Sequence, residues 1–323
     1  MCWSSGVASG RLSRARSRRR RCRARSPGSG SRCRPAAQRP SPTESGSFGR
    51  VTTLVHLSDL HFGRDVDLEQ INVLESLVPT LGPTAIVISG DLTQRGRHGE
   101  FQRALAFVER LRPAAPVHVI PGNHDVAWWE TPFGLLGTDR LTVKYRRYFG
   151  DDLSPTLELP GLVIASVRTS HGVAFGSMTW KFWRDPAVKG HLPRSEVERV
   201  AARFQAAPAG LKVVVLHHNV LRGQISRRMG LAHWRWAEDA LRSTGADLVL
   251  CGHDHQEGAA AAGRMVVSTA GTHTHRTRGH RPSAFNVITI DDSSITIRPH
   301  IWDRARRTFQ PGEPARFPRP AER

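Results

Sequence analysis

Thiols are scarce in this chain, long apolar runs are missing, and one end has almost no acidic residues. The four cysteines are Cys2, Cys22, Cys33 and Cys251, with no Cys-x-x-Cys pair among them. A disulfide framework and a thiolate zinc site are thereby excluded, and such cysteine usage fits a reducing, cytoplasmic setting. No stretch approaches the roughly 20 apolar residues that a membrane span needs. No secretory signal is expected either, because no apolar segment follows the early arginine run. Acidic residues all but vanish from the first 50 positions, where thirteen Arg face only Glu44 and supply +12 of the chain's net +19. With so little apolar surface to offset its ordering entropy, the segment 1–50 is expected to be a disordered Arg/Ser/Pro-rich arm. A solvated tail or a start assigned too far upstream explains it better than an arm for nucleic acid or anionic surfaces, since domain-like patterning begins only at Val51.

Beyond Val51 the chain is far more regular. Five apolar, strand-like runs occur at 53–57, 85–89, 117–120, 212–216 and 247–251, and a short polar cluster comes after each. The clusters read Ser-Asp-Leu-His at 58–61, Gly-Asp at 90–91, Gly-Asn-His-Asp at 122–125, His-His at 217–218 and Gly-His-Asp-His at 252–255. In open α/β sheets the carboxyl ends of the strands line the ligand crevice. Oxygen and nitrogen donors delivered there by five strands describe a metal centre of the two-metal kind. A single Asp-x-His arises readily by chance, whereas the ordered set does not. The candidate ligands are Asp59, His61, Asp91, Asn123, His217, His253 and His255. Carboxylate, imidazole and amide without thiolate suit Mn²⁺, Fe²⁺/Fe³⁺, Zn²⁺ or Co²⁺, and the histidines argue against Mg²⁺ or Ca²⁺.

Between the clusters, apolar residues recur at helical spacing: Leu68, Ile71, Leu74 and Val78, then Phe101, Ala104, Leu105, Val108 and Leu111. Residues 193–206 and 233–243 read as further helices. Strands alternating with helices give an α/β fold. Short β-branched runs at 264–270, 284–290 and 294–301 predict antiparallel strands late in the chain. A basic, Pro-rich tail, loosely held, is expected over 303–323. No internal repeat is visible.

The ordered blocks Asp-x-His, Gly-Asp, Gly-Asn-His-Asp, His and Gly-His-x-His resemble those of the calcineurin-like metallophosphoesterase superfamily over about residues 51–302. The opening Ser-Asp-Leu-His-Phe-Gly at 58–63 is most similar to the bacterial class III cyclic-nucleotide phosphodiesterase-like branch. The resemblance implies an α/β/β/α sandwich of two mixed sheets flanked by helices, with metals at one edge. It also implies that Asp59, His61 and His255 hold one ion, Asn123, His217 and His253 the other, and that Asp91 bridges them. Such a centre generates hydroxide near neutral pH and stabilises the attacking and leaving oxygens of an in-line displacement. The activity so implied is hydrolysis of a phosphodiester resembling a cyclic nucleotide. Phosphomonoesters and nucleotide-sugar pyrophosphates are the alternatives on the same scaffold, and an Arg-tailed nucleic-acid-binding protein is the alternative of another class.

Two further residues carry expected catalytic roles. His124 is placed to protonate the leaving group, and Asp125 to orient its ring. Neighbouring strand residues face opposite ways, so His217 and His218 are not both expected to be ligands, and the resemblance selects His217, which directly follows the apolar strand. Where the branch often has His-His-Pro, this chain has His217-His218-Asn219, which alters the local loop and its substrate contacts. Trp128 and Trp129 serve equally well as pocket wall or as buried anchor. His273 and His275 lack an accompanying carboxylate in sequence, so a third metal is not expected there. Cys251 is read as a small buried apolar residue.

Overall fold

Each ligand-bearing run forms a strand, and the strands divide between two sheets. The computed structural model describes residues 51–126, 139–171, 189–222, 230–275 and 277–319. In chain order the elements are β1 (Thr52–Leu57), α1 (Leu68–Thr80), β2 (Ala85–Ile88), α2 (His98–Leu111), β3 (Val117–Val119), α3 (Asp139–Phe149), β4 (Thr156–Leu159), β5 (Leu162–Ser166), α4 (Arg194–Ala206), β6 (Leu211–Val215), α5 (Trp234–Ser243), β7 (Leu248–Cys251), β8 (Gly258–Ala262), β9 (Met265–Thr269), β10 (Ala284–Ile290), β11 (Ser294–Asp303), β12 (Thr308–Pro311) and β13 (Ala315–Pro318). The first sheet runs β12-β11-β10-β1-β2-β3, with β13 also on β11, and the second runs β4-β5-β6-β7-β9-β8. Both are mixed: β1, β2 and β3 are parallel, as are β5, β6, β7 and β9, while β10 and β4 pair antiparallel with their neighbours.

Strand residues sort by face into three apolar layers. Val55, Leu57, Ile86 and Ile88 pack outward against α1 and α2. Val214, Leu216, Val249 and Cys251 pack outward against α4 and α5. Leu54, Val87, Val213, Val215, Leu248, Leu250 and Val266 face one another between the sheets. Strands buried on both faces read as continuous apolar runs, which is why the five runs were visible without alternation. The result is the expected α/β/β/α sandwich. Cys251 is buried in the outer apolar layer, its Sγ against Ser268 O and Thr269 Oγ1, and burial pushes its thiol up to about 11. Among the described residues no helix is long and apolar enough to cross a membrane.

One expectation is corrected. The stretch beyond Asp303 is not a loose tail, because the ten-residue β11 offers an edge long enough for two short strands. β12 pairs with its second half, from His300 opposite Pro311 to Asp303 opposite Thr308, and β13 with its first half, from Ser294 opposite Pro318 to Ile297 opposite Ala315. Phe309 is buried against Trp302, and the Asp303 carboxylate accepts the Ala305 and Arg306 N–H groups to close the turn. Basic side chains thus mark a hairpin turn rather than a free end.

Polar contacts also enter the layer between the sheets. His118 on β3 hydrogen-bonds Ser166 at the end of β5, and burial lowers its pKa from 6.5 to about 4. A histidine with a depressed folded pKa contributes stability that is complete above the unfolded value and lost as pH falls. In metal-free protein, unfolding free energy should therefore fall between about pH 6.5 and pH 4, with His118 contributing a slope of about 1.4 kcal/mol per pH unit. Urea titrations across that range should show the slope reduced by this amount in His118→Gln. An unchanged slope would mean that His118 does not titrate with unfolding.

Candidate metal centre

All seven expected ligands lie at the carboxyl edge of the two sheets. Asp59 and His61 follow β1, Asp91 follows β2, and Asn123 follows β3 in the first sheet; His217 follows β6, and His253 and His255 follow β7 in the second. Five of them, Asp59, His61, Asp91, His253 and His255, adopt positive φ between 47° and 71°. For a residue other than glycine that conformation costs of order 1–3 kcal/mol and is retained where surrounding structure demands it. Here the turns fold the strand ends over one another: Asp59 N–H donates to Gly90 O and His61 N–H to Asp91 O, both at 3.0 Å. The glycines ahead of the ligands have a steric reason. A Cβ on Gly122 would collide with the carboxylate and N–H of Asp91, and one on Gly252 with the side chains of Ser58 and Asp59.

The donors gather into two groups that share one carboxylate. In the first, Asp59 Oδ1 lies 3.2 Å from His255 Nε2 and 3.7 Å from His61 Nε2, and the two imidazole nitrogens are 3.0 Å apart. In the second, Asn123 Oδ1 lies 2.9 Å from His253 Nδ1 and 3.0 Å from His217 Nε2. Asp91 Oδ2 stands between them, 3.7 Å from His61 Nε2 and 3.3 Å from His217 Nε2. The carboxylate and imidazole atoms of Asp59, His61, Asp91 and His255 lie within 4.8 Å of one another, as do those of Asp91, His217 and His253.

This donor set fits metal ions. Asp59 Oδ1 is buried without a hydrogen-bond partner, while its Oδ2 accepts the His253 N–H at 2.9 Å. A bare carboxylate oxygen facing two imidazole nitrogens is an arrangement that a shared cation satisfies. Burial alone would raise the Asp59 and Asp91 pKa values, yet the facing histidines hold both below the usual carboxylate range. Burial would lower His217, but the Asp91 and Asp59 carboxylates push it up to about 9, so metal uptake at neutral pH must displace its proton. His217 Nδ1 is bonded to Ser89 O at 2.9 Å, which leaves Nε2 to face Asp91 and Asn123.

His124 stands beside this cluster. Its backbone N–H donates to Asp91 Oδ1 at 2.8 Å, and its ring meets the His61 ring edge-on at 4.7 Å. The expected partnership of its ring with Asp125 is corrected: His124 Nδ1 is bonded to Gln94 O at 2.8 Å. Asp125 is buried and accepts four hydrogen bonds elsewhere, from Gly122 N and Leu92 N on Oδ2 and from Thr93 N and Thr93 Oγ1 on Oδ1. It ties the Asp91 turn to the Asn123 turn. Sequence order could not reveal this, because three of the four bonds come from Leu92 and Thr93 at another strand end. Gln94 was missed for the same reason.

The remaining candidates fall outside the two groups. His218 Nδ1 pairs with Thr169 Oγ1 at 2.8 Å, and its ring packs 4.5 Å from that of His253. His273 is buried beside Phe309, whereas the His275 side chain is 64% exposed and lies 3.3 Å from Asp67, so the two do not combine. Trp128 and Trp129 lie outside the described residues.

A two-sheet sandwich with carboxylate, imidazole and amide donors converging at one edge defines a metallophosphoesterase. The sequence profile of the calcineurin-like phosphoesterase family matches residues 52–257, and the chain belongs to that family of metal-dependent phosphoester hydrolases. Among solved structures, a dimetal phosphatase from Danio rerio superposes with a TM-score of 0.57 at 13% identity, over 83% of this chain and 98% of its own. A purple acid phosphatase from yellow lupin (Lupinus luteus) seeds gives a TM-score of 0.59 at 11% identity, over 84% of this chain but only 54% of its own. GAP50, the anchor in the inner membrane complex of Plasmodium, gives 0.54 at 12% identity, over 84% and 90%. At such identities the likeness is one of fold. No curated protein matches the sequence.

Proposed function

We propose that the protein hydrolyses a phosphodiester of the cyclic-nucleotide kind at a centre of two metal ions. The observation that carries this reading is the position of Asp91, whose Oδ2 lies within 3.7 Å of imidazoles from both ligand groups. On this reading Asp59, His61 and His255 hold one ion, Asn123, His217 and His253 the other, and Asp91 both. The bound ions would acidify a water molecule and neutralise charge on the phosphoryl oxygens. Mn²⁺, Fe²⁺/Fe³⁺, Zn²⁺ and Co²⁺ suit the donors.

The opening Ser-Asp-Leu-His-Phe-Gly at residues 58–63 supports the choice of a diester. The solved structures described as phosphatases favour a second reading, a phosphomonoesterase. Assays of the Mn²⁺-reconstituted chain on matched mono- and diesters separate the two. A higher kcat/KM for cyclic and bis-aryl diesters is expected, and a preference for monoesters would overturn the diester assignment.

His124 is assigned the proton delivered to the leaving oxygen. With Nδ1 bonded to Gln94 O, Nε2 is the nitrogen left to face substrate. His124→Ala should keep both metals and slow turnover by about 10²–10⁴-fold. The defect should shrink for a p-nitrophenyl ester, whose leaving group needs little protonation, and stay large for a ribose ester. Equal defects would remove the acid role; metal loss would make His124 a ligand.

A further inference from the structure

The layer between the sheets changes character just below the metal edge. Leu54, Ala85, Ile288 and Val266 belong to its apolar part, Leu54 pairing with Ala85 and Ile288. Nearer the ligands the layer carries His56, Ser89, Asn286 and Ser268, all buried. His56 Nε2 lies 3.0 Å from Ser89 Oγ, and Nδ1 lies 3.2 Å from Ser268 Oγ across the gap between the sheets. Asn286, paired with His56 across β1 and β10, donates to the same Ser268 hydroxyl and to Thr269 O, each at 2.9 Å. Burial lowers His56 to about 3, so the ring is neutral and offers one donor and one acceptor, and hydroxyls can complement either.

Both proposed ions draw on both sheets: Asp59 and His61 meet His255, and Asn123 meets His217 and His253. Any shift of one sheet on the other would disturb both ligand groups together. Apolar contact is non-directional and fixes spacing better than register. The His56 bonds are directional, and they continue to a ligand: the Ser89 that meets His56 through its hydroxyl accepts from His217 through its carbonyl.

We infer that His56 is a positioning residue for the metal centre, fastening the second sheet at Ser268 and, through Ser89, setting the angle at which His217 presents Nε2. The inference rests on the two-metal reading above. His118 supplies an internal control, since its bond to Ser166 also joins the sheets but does not pass through Ser89.

The test is calorimetric titration of the metal-stripped full chain with Mn²⁺, alongside thermal unfolding of the stripped protein. His56→Leu should weaken Mn²⁺ binding by about 10–100-fold, the range for lost outer-shell partners of a metal site. His118→Leu should lower thermal stability comparably and leave Mn²⁺ affinity close to wild type. His56→Gln, whose amide reaches the Nε2 position, should recover affinity through Ser89. If His56→Leu does not fold, Ser89→Ala decides, and it too should weaken binding. Unchanged affinity in a folded His56→Leu or Ser89→Ala, or an equal loss in His118→Leu, overturns the inference while leaving the metal centre intact. A wild-type chain that binds no Mn²⁺ overturns the metal centre and the inference with it.

Discussion

Asp91→Ala should abolish phosphoester hydrolysis and reduce bound metal below two ions per chain. The carboxylate is buried, its Oδ2 faces His61 and His217, and its Oδ1 accepts the His124 N–H. On the proposed assignment, removing it takes a ligand from each group, and it releases the turn that carries His124. Metal ions contribute several kcal/mol of transition-state stabilisation in such hydrolases, so a fall in kcat/KM of at least about a thousandfold is expected. Asp91→Asn sharpens the point. Its amide oxygen can still accept from His124 N–H, but a neutral amide bridges two cations poorly, so the loss should remain. Near-normal turnover with two ions retained in either variant would remove Asp91 from the bridging role.

Asp125→Asn should cost about 1–3 kcal/mol of stability, the cost of one buried unsatisfied group, and weaken metal binding, although Asp125 is not among the proposed ligands. Four groups donate to its carboxylate, two on each oxygen, and three of them are backbone N–H groups that cannot accept. An amide that turns its NH₂ toward the Thr93 hydroxyl, which can rotate to accept, still leaves the Thr93 N–H opposed. Burial and the Asp91 charge push the Asp125 pKa upward while the hydrogen bonds oppose them; the all-donor shell is built around the ionised form. Because Asp125 joins the turns carrying Asp91 and Asn123, lost stability and lost metal affinity should appear together in urea and Mn²⁺ titrations. A variant as stable as wild type would show that the four bonds contribute little.

The ligand runs were legible because parallel strands covered on both faces are apolar without interruption, and each ended in a polar cluster. α1 and α2 announced themselves through apolar spacing, and α4 and α5 through Pro193 opening the one and Gly245 following the other. α3 did not: four of its eleven residues are Arg or Lys, and Leu141, Thr142 and Tyr145 make up its buried stripe. β8, Gly-Ala-Ala-Ala-Ala, has the composition of a helix and becomes a strand by pairing with β9. β12 and β13 hid among arginines and prolines because each is held by one edge of β11 rather than by an apolar run of its own. At the site, residue types and order marked out the candidate ligands that the fold gathers at one edge. The roles of Asp125, Gln94 and Ser89 depend on backbone groups brought together only by the fold, and the left-handed turns at five ligands have no signature beyond the neighbouring glycines.

Anomalous diffraction at the manganese absorption edge, on crystals of the full chain grown with Mn²⁺, bears most directly on the two-metal centre. Two peaks are expected, one among Asp59, His61 and His255 and one among Asn123, His217 and His253, with the Asp91 carboxylate between them. A single peak, or peaks away from these residues, would contradict the assignment.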